Sequence, residues 1–178
     1  MNVISRLVEF DRKPVTNYKL RGFVLAYSDI LTLLNLFDPD FYLNGYTVIR
    51  NDDVRRYRIL DEPSSFINRA LKLKRIRPQP KPMVSIESMP ELLSSANEGF
   101  PLITIHREKI SDEVCYIGRL DKMTEKTFTL YEIDPDAEWE GVHRYRFSDI
   151  TRVDFGGGYE EALALVAKRY GRKQTEFK

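Results

Sequence analysis

At 178 residues, with 42% hydrophobic and 12% aromatic composition, the chain has the apolar material for one ordinary domain or two small ones. A net charge of +1 excludes a generally basic nucleic-acid-binding protein, and one cysteine, Cys115, excludes an internal disulfide or a cysteine metal cage. The longest apolar run, residues 23–27 and 30–34, is broken by Ser28 and Asp29 and falls short of the roughly 20 residues that span a bilayer; with no secretory signal at the N-terminus, a cytoplasmic protein without membrane contact is expected.

Leu7, Val8 and Phe10 open a short apolar strand, ended by turn chemistry around Pro14. Residues 18–27 read as a long strand holding Gly22, and a glycine inside a strand marks a bend, a bulge or a close backbone approach. Residues 30–37 fit a helix on propensity, but their counterpart at 127–133 alternates Phe128 and Leu130 in a β-rich setting, which decides for strand. Residues 46–50 and 54–59 give two further strands around a turn at Asn51-Asp52-Asp53. Ser64 or Ser65 caps a helix with Phe66, Ile67, Ala70 and Leu71 at helical spacing. Pro78, Pro80 and Pro82 cannot sit in a helix and mark a linker. Ser88 then caps a short helix over 90–96, strands are expected at 102–106, 114–120, 127–133, 142–147 and 150–155, and a helix from Tyr159 to about Tyr170 closes the chain. Cys115, in an apolar run, reads as a small strand hydrophobe.

The chain is a tandem repeat. Shifted by 96 residues, Gly22, Leu34, Asp38, Pro39, Asp40, Gly45, Arg50, Asp53 and Arg56 coincide with Gly118, Leu130, Asp134, Pro135, Asp136, Gly141, Arg146, Asp149 and Arg152. Bend and turn residues dominate this set, so the repeat preserves backbone geometry while the surfaces diverge. Residues 1–75 carry 13 Lys and Arg against 9 Asp and Glu, whereas residues 97–178 carry 13 against 16. Opposite signs favour docking of the halves on each other or on neighbouring copies.

Five short strands, the second bent at a glycine and the last preceded by a one-turn connection, resemble the SH3-like small barrels. With a helix ahead of it, Ile117-Gly118-Arg119-Leu120 leading to Phe128-Thr129-Leu130 is similar to the first half of an Sm motif. The resemblance implies a mostly β fold with short helices: two SH3-like or Sm-like barrels in tandem, each followed by a helix. The first unit takes residues 1–75, a proline-rich linker 76–88 and the second unit 89–178. The acidic and asparagine positions of the Sm RNA-binding loop have no counterpart here, so the resemblance does not carry RNA binding.

Asp38, Asp40, Asp134 and Asp136 have the chemistry of hard-cation ligands, but Asp-Pro-Asp is equally a turn solution, with the carboxylate capping it. Gly156-Gly157-Gly158 precedes a helix, yet Glu160 and Glu161 in its first turn would repel a phosphate. His106 and His143 lack ligands at metal spacing, and no nucleophile motif is present. The expectation is a non-enzymatic interaction or scaffold module without cofactor or metal, contacting a protein partner or a second copy through Trp139, Glu138, Glu140 and Tyr42. Trp139 has a second reading as core. The alternative function is RNA or DNA binding through Arg50, Arg55, Arg56, Arg58 and Tyr57, since cations contact phosphates and aromatics stack bases.

Overall fold

The computed structural model describes residues 3–170 apart from Pro39 and Ser64. Those two, the centre of the first Asp-Pro-Asp and one of the two expected caps, lie outside the described residues. The elements are β1 (Leu7–Asp11), β2 (Leu20–Tyr27), β3 (Leu31–Phe37), β4 (Leu43–Arg50), β5 (Arg56–Ile59), α1 (Phe66–Lys74), α2 (Met89–Gly99), β6 (Ile103–His106), β7 (Cys115–Met123), β8 (Thr127–Ile133), β9 (Trp139–Arg146), β10 (Arg152–Phe155) and α3 (Gly158–Tyr170). Single turns of 3-10 helix, Asn51–Asp53 and Phe147–Asp149, precede β5 and β10. Ser65 caps α1 by accepting from the Asn68 N–H, and Ser88 caps α2 by accepting from the Glu91 N–H.

The strand order is β5-β1-β2-β3-β4-β10-β6-β7-β8-β9, one ten-stranded sheet with antiparallel pairings. This overturns the expectation of two tandem barrels. Closing the first half would require β5 to pair with β4, but β4 lies between β3 and β10, while among the described residues β5 pairs with β1 alone. Closing the second half would likewise need a free side on β10, which lies between β4 and β6. Each strand has only two hydrogen-bonding sides, so the joint between the halves leaves the sheet open.

The repeat itself is written in the registers. Leu31↔Arg50 and Phe37↔Leu43 in β3·β4 recur as Thr127↔Arg146 and Ile133↔Trp139 in β8·β9. The irregularity between Val24 and Ala26 recurs between Leu120 and Lys122. Gly22 and Gly118 serve the same close approach: a Cβ on Gly22 would lie 2.6 Å from the Asn35 carbonyl oxygen, and one on Gly118 would overlap that of Tyr131.

The largest apolar cluster crosses the joint. Leu31, Leu33 and Val48 of the first half meet Ile103, Ile105, Val153 and Phe155 of the second, beneath Leu92 and Leu93 of α2. Each fully buried Leu, Ile or Phe side chain contributes about 1.5–3 kcal/mol of transfer free energy. The proline-rich segment is laid over the sheet: Val84 and Ile86 are buried, Gln79 and Asn35 exchange hydrogen bonds, and the Tyr46 hydroxyl donates to the Pro80 carbonyl at 3.0 Å. Among the described residues no helix is long and apolar enough to cross a membrane.

Candidate interaction site

The joint carries a buried polar network. Arg12, just past β1, is fully buried, and its two terminal nitrogens donate to the Glu108 carboxylate at 3.0 and 2.6 Å. Thr151 closes the group, its carbonyl accepting from Arg12 and its hydroxyl donating to Glu108 at 2.7 Å. Burial alone would raise the Glu108 carboxyl, but the bonds and charge of Arg12 outweigh it and hold it below its ordinary range. Arg50 belongs to the same joint, donating to the carbonyls of Ile150 at 2.6 Å and Phe147 at 2.7 Å. Its guanidinium is thereby engaged away from the other arginines of the first half.

Beside this group, Asp154 accepts from the Thr47 hydroxyl and lies 2.8 Å from His106 Nε2 and 3.2 Å from Arg152 Nε. Burial pushes the Asp154 carboxyl up, but Arg152, then the His106 and Thr47 bonds, hold it at about 2. A carboxyl depressed from its ordinary 3.8 stabilises the fold above that value and loses its contribution as pH falls through about 2. We therefore expect Asp154→Asn to cost about 2 kcal/mol at neutral pH, with the gap to wild type closing between pH 4 and pH 2 in denaturant titrations. Among the described bonds the His106 ring meets Asp154 and Arg152.

The second feature is a groove of about 720 Å³ at the open edge of the first half, lined by Val8, Phe10, Val54, Arg55, Arg56 and Tyr57 among others. Tyr57 is 50% exposed, with its ring centroid 6.2 Å from that of Phe10. On β5, Arg56 pairs with Asp11 at 2.9 Å and Arg58 with Glu9 at 3.4 Å. Glu9 also takes Lys19 at 3.0 Å and Arg21 at 2.8 Å. Burial opposes ionisation of Glu9, yet Lys19 and Arg21 keep its carboxyl below the usual range. Four cations thus pair with two carboxylates, and the edge is positive in excess.

The repeat shows what a filled version of this groove looks like. Val8, Phe10, Val54 and Tyr57 correspond to Ile103, Ile105, Ile150 and Val153 in strand pairing and sequence offset. Those four are fully buried in a cluster that includes Phe128 and Phe147 of the same half, which stand where Thr32 and Asn51 line the groove, together with Leu31, Leu33 and Val48 of the neighbouring half and α2. In the first half Val8 and Phe10 are buried against Leu20, Val24, Leu34 and Ile49, while Tyr57 beyond them stays half exposed beside the groove.

The remaining expected contact residues fall elsewhere. Trp139, half-buried on β9, stacks on Tyr131 at 4.5 Å and 6°, with the Arg119 guanidinium 5.2 Å from its ring. Its exposed neighbours Glu138 and Glu140 do not join Tyr42, which lies in the other half under the Lys74 ammonium at 4.4 Å. The Asp-Pro-Asp carboxylates act as turn caps: Asp134 accepts from the N–H groups of Asp136 and Glu138, and Asp38 from that of Tyr42. Among the described residues no cluster of His, Cys, Asp or Glu is arranged to hold a metal ion. Cys115, read as a strand hydrophobe, sits exposed at the start of β7.

Arg55, Arg56, Arg58 and Tyr57, one candidate set in the sequence, lie together at the edge. Arg12, Glu108 and the groove are not among the residues that the sequence singles out. The Arg12–Glu108 pair lies 96 residues apart, the repeat spacing, and charges at that offset were the one available signal. No protein-family model matches the chain, and no curated protein or solved structure matches it either, so nothing in these comparisons bears on the SH3-like or Sm-like resemblance.

Proposed function

We propose that the protein is a non-enzymatic interaction module that binds a partner polypeptide at the open β5 edge. The observation that carries this reading is the uncovered groove. Its repeat equivalent is filled by Phe128 and Phe147, where the groove has Thr32 and Asn51, and by side chains of the adjoining half and a helix, while the groove itself opens beside half-exposed Tyr57 and a strand side that has no partner among the described residues. Unpaired strand sides are templates for added strands. The single cysteine is consistent with a cytoplasmic setting, which forms part of the same proposal.

Selection of phage-displayed random dodecapeptides on the intact protein tests it. Selected peptides are expected to lose at least tenfold in affinity on Tyr57→Ala and to be unaffected by Trp139→Ala. Nucleic acid is the competing occupant, since Arg55, Arg56 and Tyr57 line the groove. The proposal fails if no selected peptide depends on Tyr57, or if a single-stranded oligonucleotide binds with steep salt dependence and loses affinity on Arg55→Glu while peptides do not bind.

A further inference from the structure

Resting on that reading, we infer that the occupant of the edge is an extended segment of another protein, antiparallel to β5, in which apolar residues alternate with acidic ones. The direction and phase come from the joint. β5 pairs β1 in the register that β10 uses with β6: Arg56↔Asp11 and Ile59↔Val8 stand where Arg152↔His106 and Phe155↔Ile103 stand. The backbone groups that β5 turns outward are therefore those that β10 gives to β4, and β4 runs antiparallel to β10.

The side-chain code comes from the same template. At the joint Val48 lies opposite Val153 on the apolar side, and Thr47 lies opposite Asp154, donating its hydroxyl to the carboxylate. In β5 the residue corresponding to Val153 is Tyr57, over the groove, and the one corresponding to Asp154 is Arg58. The acceptor of the joint has become a cation, so the residue opposite must change from donor to acid, while the residue opposite Tyr57 stays apolar. The excess of cations around Glu9 and Asp11 adds a field of the same sign.

A second copy of this chain is the poorer occupant. Its own open edge, β9, offers His143 and Arg144 at the positions of Thr47 and Val48, with Arg146 two residues beyond. Cation would face cation, and the apolar residue is missing.

The test uses a fluorescein-labelled nine-residue peptide of alternating Glu and Leu, read by anisotropy on the full chain. Binding is expected to weaken at least tenfold when Ser replaces every Leu. Arg56→Glu combined with Arg58→Glu is expected to abolish it and to transfer binding to a nine-residue peptide of alternating Lys and Leu, a gain that misfolding cannot mimic. N-methylation of one alternating set of backbone amides is expected to eliminate binding, and of the other set to leave it, because only one set faces the edge. Equal binding of both N-methylated forms, no charge-swap rescue, or concentration-dependent dimers through β9 would overturn the inference. Tyr57-dependent peptides that lack the alternation would sink this inference while leaving the interaction-module reading intact; no Tyr57-dependent peptide of any kind would sink both.

Discussion

Glu108→Gln is expected to lower the unfolding free energy by about 3 kcal/mol, the lower end of the range for breaking a buried ion pair by removing one partner. Arg12 has no exposed surface, and its guanidinium depends on the Glu108 carboxylate and one carbonyl, that of Thr151. Arginine does not deprotonate, so the charge left behind cannot relax by losing a proton. An amide oxygen retains one of the two bonds, which places the cost at the lower end. Arg6→Ala at the part-exposed Arg6–Asp61 pair should change stability far less, because solvent screens that pair. Urea unfolding at pH 7 measures both.

The double replacement Arg12→Met with Glu108→Leu separates attraction from desolvation. A pair that stabilises only relative to a half-broken pair is recovered by two apolar residues of similar volume. We expect the double variant to be within about 1 kcal/mol of wild type, and a double variant as unstable as Glu108→Gln would show that the network contributes stability of its own.

The strands were legible because their causes are local. Gly22 and Gly118 announce close backbone approaches, the alternation of Phe128 and Leu130 announces a half-buried strand, and Ser65 and Ser88 announce helix starts, each visible in a few neighbouring residues. The repeat offset was legible for the same reason, since turn residues fix it. That the sheet stays open was not legible, because it depends on which strand takes the free side of β4, a choice made between residues about 100 positions apart. Val48 and Val153 look like any buried strand residues in sequence; nothing local says that they face each other. The groove was hidden by the same fact: Val8 and Phe10 read as core and are buried, and nothing local says that Thr32, Asn51 and half-exposed Tyr57 leave a groove beside them.

Phe155→Ala is expected to cost about 3–5 kcal/mol, whereas Ile59→Ala, at the same position of the repeat, should cost less than half as much. Phe155 has no exposed surface; its ring centroid is 4.8 Å from that of Phe100 and 5.7 Å from that of Tyr46, and its strand is paired on both sides. Truncation there opens a cavity bounded by backbone on two flanks, where collapse is limited. Ile59 is partly buried and pairs with Val8 on one side only, so water reaches the space its side chain leaves. Chemical denaturation gives both values, and hydrogen exchange adds a second readout: Phe155→Ala should speed exchange of the amides that join β4 to β10, and Ile59→Ala should leave them unchanged. Equal costs for the two substitutions would mean that the β5 edge is as well covered as the middle of the sheet, and the open edge on which the proposed partner binding rests would be gone.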